Sequence, residues 1–210
     1  MNQKNDAGMR GCPMDDPDSV EYAEVENRLE RDAVFRFDYV AKVIGLGEND
    51  FAVLREFHSV IEPHLETIVK RVYEKMFDFN AMKRHFVPKH HGFEGNAPES
   101  IDNVSLNHSQ IHFRRKKLKE YFAKLSTSAG DETFAVLLDV IGHIHTPHKG
   151  SPTLAVPIVQ ITALLGFIDD QFAKAISKLK LKVADRVKLQ RAYSKVFWVQ
   201  NNMFIRHYTN

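Results

Sequence analysis

The stretch Asp131-Glu-Thr-Phe-Ala-Val-Leu-Leu-Asp-Val-Ile-Gly-His-Ile-His-Thr146 decides how the chain is interpreted. Its apolar side chains recur at positions 134, 137, 138 and 141, and this spacing predicts one buried face of an α-helix. Asp131 is a suitable N-cap for that helix. Four residues beyond Ile141 stands His145, so it continues the buried face at the end of the helix. His143 is expected to face away from it, about 200° around the helix.

His145 has two interpretations that the residues alone leave open. In the first, it is a core histidine whose ring makes a hydrogen bond within the protein. In the second, it binds a metal ion or a haem. Zinc is disfavoured, because a tetrahedral site needs further ligands close by, and His143, His145 and His148 cannot all face one way on one helix. A single protein ligand suits haem, since the macrocycle supplies four nitrogens.

The same helical spacing extends over most of the chain and predicts an all-α fold of seven or eight helices. Asn49 or Asp50 is expected to cap one helix, and Pro63 is expected in the first turn of another that runs to Phe77. Two long helices are predicted over Leu154–Leu179 and about Ala184–Tyr208, and residues 87–107 are predicted to form a long loop.

Length and charge suggest one domain with an appendage. The chain has 210 residues and a formal net charge of +2. Residues 1–32 carry nine acidic and four basic side chains, whereas residues 174–210 carry nine basic and one acidic. We therefore expect an acidic, flexible N-terminal extension over residues 1–30 and a single domain over 31–210. The charged segments are interpreted as solvated surfaces, with docking of an acidic partner or a contact between tail and last helix as alternatives.

Several classes of protein are disfavoured by composition. The longest apolar stretch, Leu154 to Ile168, has 15 residues and contains three that are not apolar, so no membrane span is expected. Cys12 is the only cysteine, which excludes an internal disulfide and favours a cytoplasmic location. A nucleic-acid-binding module built on the basic last helix is a further, non-haem alternative, although basic helix faces are usually solvated.

The segment Ile141-Gly142-His143-Ile144-His145-Thr146 resembles the Ile-Gly-x-x-His segment of the protoglobins and of the sensor domains in globin-coupled sensors. The resemblance covers roughly residues 33–208. It is also carried by Gly45-Leu-Gly47, Ile61-Glu-Pro-His-Leu65, Val72-Tyr73, Val156-Pro157, Phe167-Ile168 and the stretch from Gln190 to Tyr208. It implies a globin-like fold with an extra N-terminal helix before the first globin helix, a haem b cofactor, and His145 as the proximal ligand of its iron.

The resemblance also implies roles for residues around the haem. Tyr73 matches the distal tyrosine of the family, and Val72 stands where some members carry a bulky aromatic side chain. Further residues are expected to line the pocket: Phe77, Phe86, Leu118 and Phe167. Arg114 or Arg115 is expected to reach a haem propionate, because arginine pairs well with carboxylates.

A histidine-rich region offers alternatives for the sixth position of the iron. The candidates for a closed, bis-histidine haem are His85, His90, His91 and His112.

The leading functional prediction is reversible binding of a diatomic gas, O₂, CO or NO, at a haem iron. One alternative is a gas or redox sensor that signals to a separate partner through a surface, since 210 residues leave no room for a transducer domain. Another is a haem enzyme acting on NO, peroxide or reactive nitrogen species, although no His and Arg pair is placed for peroxidase chemistry. The last two long helices are expected to pair in a homodimer, by analogy with the resembled family.

Overall fold

A computed structural model describes residues 17–131, 133–146 and 154–208, and within these ranges the chain is all helical. The helices are α1 (Pro17–Arg31), α2 (Ala33–Ile44), α3 (Glu48–Glu56), α4 (His58–Phe77), α5 (Asn80–Lys83), α6 (Ser109–Thr127), α7 (Phe134–His143), α8 (Ile158–Ser177) and α9 (Val183–Ile205). Two single-turn 3₁₀ helices, Arg84–Phe86 and Ile101–Asn103, lie between α5 and α6. The all-α prediction is confirmed.

Helix α9 forms the centre of the structure, because it packs against α2, α3, α7 and α8. Apolar side chains at spacings of three and four along α9 are fully buried: Leu189, Ala192, Val196, Val199 and Met203. Helix α4 packs in turn against α6 and α8. Together these contacts form one core, which is expected for side-chain stripes that recur at the helical period.

The boundary between α3 and α4 differs from the sequence prediction. Helix α4 begins at His58, so Pro63 lies inside it and the prediction of Pro63 in a first turn was wrong. Proline cannot donate a backbone hydrogen bond to the carbonyl four residues earlier, here that of Ser59. Both residues are exposed, so water can hydrogen-bond to this carbonyl.

The cap of α3 also differs from the prediction. Gly47 occupies the N-cap position, and the Asp50 side chain accepts a hydrogen bond of 3.1 Å from its backbone N–H. Asp50 therefore stabilises the start of the helix from its first turn, as in a capping box.

The acidic helix α1 is held against the end of α9. The Arg36 side chain is buried and donates to the Glu30 carboxylate at 3.1 Å and to the Asn202 side chain at 2.7 Å. Arg206 donates to the Glu30 carbonyl at 3.1 Å. The remainder of the predicted extension, including Cys12, lies outside the described residues, and the division into a tail and a domain stays a prediction.

No helix in the described part of the chain is long and apolar enough to cross a membrane.

Candidate functional site

His145 lies in the turn that directly follows α7. Helix α7 is shorter at both ends than the helix predicted over 131–145. Beyond its end, the His145 N–H donates to the Gly142 carbonyl, three residues earlier, at 3.3 Å. The ring Nδ1 lies 2.7 Å from the Ile141 carbonyl oxygen. A carbonyl can only accept, so Nδ1 carries the proton and Nε2 keeps a free lone pair. Burial lowers the pKa of His145, which keeps the imidazole neutral.

Helix α9 supports the His145 ring from one side. The Phe204 ring meets it edge to face, with 5.4 Å between ring centroids. This contact depends on a close approach of the two helices at Gly142, where an added Cβ would lie 3.1 Å from the Met203 carbonyl oxygen and 3.2 Å from the Phe204 Cα. Phe204 is separated from His145 by many residues, and the sequence prediction did not identify it.

Tyr73 belongs to an aromatic cluster between α4 and the 3₁₀ helix that follows α5. Its ring centroid lies 5.5 Å from that of Phe86 and 6.3 Å from that of Phe77, and the last two are 5.3 Å apart. Tyr73 is 4% exposed, and its hydroxyl bonds to no other described residue. Burial raises its pKa. It is thus a neutral donor whose hydrogen bond no described residue accepts.

Arg114 extends from α6 towards this cluster. Its Cζ lies 5.0 Å from the centroid of the Phe86 ring, and its Nη1 and Nη2 each donate at 3.2 Å, to the carbonyls of His85 and Pro88. Its Nε is buried and has no hydrogen-bond partner. The guanidinium is therefore held firmly in place, and its Nε–H remains an unused donor.

Gln110, one turn before Arg114 on the same helix face, fastens the same segment. Its side-chain Nε2 donates to the carbonyls of Phe86 at 2.8 Å and Pro88 at 3.1 Å, and its Oε1 accepts from the His90 N–H at 2.9 Å. Gln110 is fully buried, as hydrogen-bonded polar groups can be. The prediction did not include it, although the spacing of four residues from Arg114 pointed to a shared face.

Arg114 and Gln110 thus connect α6 to the segment 85–90. The positive charge of Arg114 adds to the effect of burial in lowering the pKa of His145. Arg114 likewise acts on the phenol of Tyr73. The structure thus brings Tyr73, Phe77, Phe86 and Arg114 together in one cluster.

The other predicted residues are placed differently. Arg115 turns towards α4 and pairs with Glu66 at 3.1 Å. Phe167 lies near Lys75, whose Nζ is 5.9 Å from the ring centroid. Val72 is fully buried in the core, and Leu118 is partly buried against it.

Of the four histidines that are candidates for a second axial ligand, two contact other side chains and two are exposed. The His85 ring is 3.1 Å from the Gln160 side-chain oxygen, and the His90 ring packs edge to face on Phe113 at 5.3 Å. His91 and His112 are exposed. His148 falls outside the described residues.

Comparison with known proteins shows to which family the chain belongs. The family model Protoglobin matches residues 35–210. The chain belongs to the protoglobin family. No curated protein matches it significantly. Membership implies that this protoglobin binds haem and a gaseous ligand, and the resemblance drawn from the sequence is confirmed.

The described residues fit a haem. A proximal ligand must be a neutral imidazole with a free ring nitrogen, and the hydrogen bond to Ile141 gives His145 this tautomer. Neither the Tyr73 hydroxyl nor the Arg114 Nε donates a hydrogen bond to a described residue. Both are donors, as a pocket for an electron-rich ligand requires.

Proposed function

We propose that this protoglobin holds haem b through His145 and binds a diatomic gas beside Tyr73, within a pocket lined by Phe77 and Phe86. The observation that carries the proposal is the 2.7 Å hydrogen bond from Nδ1 of His145 to the Ile141 carbonyl, which directs the lone pair of Nε2 away from the helix. Haem b fits better than a covalently attached haem, because one cysteine in the chain cannot form a C-x-x-C-H motif.

The residues of the protein are proposed to hold the haem, orient the bound gas and keep water out of the pocket. Haem, when bound, would supply an iron atom at which O₂, CO or NO can bind. His145 is held neutral by burial and oriented by Ile141 and Phe204. Tyr73 is held protonated and can donate one hydrogen bond to the bound gas, while the aromatic rings of Phe77 and Phe86 keep water out.

The experiment is to compare His145→Ala with His143→Ala. We expect the wild-type protein, purified from cells supplied with haem, to show an intense Soret band. The His145→Ala variant is expected to retain much less haem and to have an altered ferrous spectrum, and added imidazole is expected to restore part of both. His143 is the matched control, because it stands two residues away and is not assigned a role as ligand.

Normal haem content and an unchanged ferrous spectrum in His145→Ala would remove His145 from the proximal position. Absence of a Soret band in the wild-type protein would contradict the whole proposal.

A homodimer through α8 and α9 is also proposed. Large apolar side chains are exposed on these two helices, including Trp198 at 63% and Val159 at 68%. Val187 and Trp198 are eleven residues apart, about three turns, and so share one face of α9. Pairing of two copies would cover these side chains.

A further inference from the structure

A cleft between α4 and α8 is lined largely by hydrogen-bond donors. Its volume is about 60 Å³. Each helix contributes one stripe at the helical spacing, residues 64, 67, 68 and 71 of α4 and residues 171, 174, 175 and 178 of α8. A stripe that faces another helix is normally apolar. Here six of the eight side chains are polar or basic: His64, Thr67, Arg71, Gln171, Lys174 and Lys178.

The cleft lies on the other side of α4 from the proposed gas site. Arg71 stands two residues before Tyr73, which corresponds to about 200° around a helix. The Tyr73 ring is buried beside those of Phe77 and Phe86, whereas Arg71 is exposed. A ligand bound in the cleft is therefore distinct from any ligand of the haem.

A buried amide orients the Arg71 guanidinium. Gln171 is 4% exposed, and its Nε2 donates to the Asp170 carboxylate at 2.9 Å. A carboxylate can only accept, so the Oε1 of Gln171 is left to accept from Nη1 of Arg71, at 3.3 Å. This contact uses one of the five N–H donors of the guanidinium and leaves the others for a ligand.

Positive charge at the cleft exceeds the negative charge near it. No carboxylate of the described chain pairs with Arg71 or Lys178, and none lines the cleft. Lys174 pairs with Asp170 at 2.5 Å, while its side chain stays 55% exposed and can still reach a ligand. His64 has an N–H donor in either protonation state. The cleft therefore suits a negatively charged ligand.

The dimensions and charge of the cleft define the class of that ligand. A volume of about 60 Å³ has room for about four to six water molecules, so one phosphate group fits. A drug-sized molecule needs roughly 300–1,000 Å³ and does not fit. One arginine and two lysines match a doubly charged anion better than a singly charged one, and the planar guanidinium suits phosphate oxygens.

We propose that the cleft between α4 and α8 binds a phosphate group, either as free inorganic phosphate or as the phosphomonoester of a small molecule. Arg71 would donate to two of its oxygens, with Lys174 and Lys178 supplying the remaining charge. Because Gln171 already holds the guanidinium, little ordering accompanies binding. The site uses none of the residues proposed to hold haem or gas, so it stands independently of the proposed function.

The experiment is a titration of the haem-loaded, CO-bound ferrous protein with inorganic phosphate, followed by ³¹P NMR at constant ionic strength. We expect saturable binding to one site per chain. Glycerol phosphate is expected to compete with it at similar affinity, because the phosphate group alone enters the cleft, and failure to compete would assign the cleft to free phosphate. Acetate, which carries one charge, is expected not to displace phosphate at equal concentration.

Variants test the residues that carry the proposal. We expect Arg71→Gln to weaken phosphate binding by about 10- to 100-fold, the usual effect of removing a hydrogen bond to a charged group. Lys178→Gln is expected to weaken it less, and Arg71→Lys is expected to retain part of the affinity. Both positions are exposed, so the circular dichroism spectra should match that of the wild type.

Lys70→Gln is the matched control. It removes the same charge from the neighbouring residue of α4, but Lys70 does not line the cleft and pairs with Glu74 at 3.7 Å. Its affinity for phosphate is expected to equal that of the wild type. An equal loss in Lys70→Gln and Arg71→Gln would overturn the proposal, because it reports a general attraction to positive charge.

Three other results would also overturn it: no saturable binding to the wild-type protein, unchanged affinity in Arg71→Gln, or displacement of phosphate by acetate at equal concentration. The Soret band of the same samples tests the haem site separately. A protein that bound phosphate as expected and showed no Soret band would contradict the proposed function and support the phosphate site.

Discussion

Tyr73 shows at the scale of one residue how burial prepares a donor. Its side chain is buried, burial raises the pKa of its phenol, and no described residue accepts its hydrogen bond. A gas molecule bound at haem iron would provide the missing acceptor. One hydrogen bond between uncharged groups contributes about 0.5–1.5 kcal/mol, which corresponds to a roughly two- to tenfold change in a rate.

We therefore expect Tyr73→Phe to release O₂ roughly two- to tenfold faster than the wild-type protein, measured by stopped-flow displacement of O₂ from the ferrous protein. Tyr121→Phe is the control, because its hydroxyl is also buried but already donates to Gln200 at 2.5 Å. That variant should lose stability and keep the wild-type rate of release. Equal rates in Tyr73→Phe and the wild-type protein would remove Tyr73 from the ligand site.

Single residues also show how much of the site the sequence can predict. His145 and its hydrogen-bond acceptor Ile141 are four residues apart, so the helical repeat indicates both. The acceptors of Arg114 are carbonyls 26 and 29 residues earlier in the chain, and no local pattern reports them. Phe204 is likewise brought to His145 by the packing of α9 on α7. Roles that depend on such long-range packing require the structure.

At the scale of elements, the approach of α7 to α9 determines how firmly the His145 ring is held. A Cβ at Gly142 would lie 2.9 Å from Cδ2 of His207 and 3.1 Å from the Met203 carbonyl oxygen. The imidazole can yield by rotation, but the carbonyl belongs to the backbone of α9. An alanine therefore requires the two helices to move apart.

We expect Gly142→Ala to lower the free energy of unfolding by about 1–3 kcal/mol, as overpacking of a core usually does. Urea denaturation followed by circular dichroism measures this change. Gly166→Ala is the matched control, because Gly166 lies inside α8 with no heavy atom within 4 Å of an added Cβ. Alanine is favoured over glycine in a helix by about 1 kcal/mol, so this variant is expected to be as stable as the wild type or more so. A Gly142→Ala variant of undiminished stability would show that α7 and α9 separate at little cost.

The helices themselves are predictable because apolar residues recur along each of them at helical spacing, whereas the positions of the helix ends depend on weaker signals. The existence of α4, α6, α7, α8 and α9 follows from apolar spacing. The start of α4 does not, since Pro63 suggested a first turn and the helix begins five residues earlier. The packing of Ile61 and Leu65 into the core outweighs the hydrogen bond that Pro63 cannot make.

For the whole molecule, the buried titratable groups predict how stability depends on pH. Burial lowers the pKa values of His85, His90 and His145 below their ordinary value of about 6.5. The unfolded chain then binds more protons than the folded protein as the pH falls below this value, so folding loses stability towards acid. Haem binding acts in the same direction, because a ligating imidazole must be unprotonated.

Tyrosines set the alkaline limit. Burial raises the pKa of Tyr193 to about 12 and also raises those of Tyr73 and Tyr121. Above about pH 10 the phenols ionise in the unfolded chain while they stay neutral in the folded protein, so stability is lost as the pH rises further. Between these acid and alkaline limits, the free energy of unfolding is therefore expected to change little with pH.

We expect the free energy of unfolding to be nearly constant from about pH 7 to 9.5 and to fall on either side, by at most about 1.4 kcal/mol per pH unit for each group involved. Urea titrations at a fixed protein concentration, at intervals between pH 5 and pH 11, measure the profile. His85→Gln is expected to make the acid limb shallower, because it removes one of the three histidines and leaves a side chain that can still bond Gln160. Stability that stayed constant down to pH 5 would mean that these imidazoles are protonated without loss in the folded protein, and the neutral His145 on which the haem site depends would then have no support.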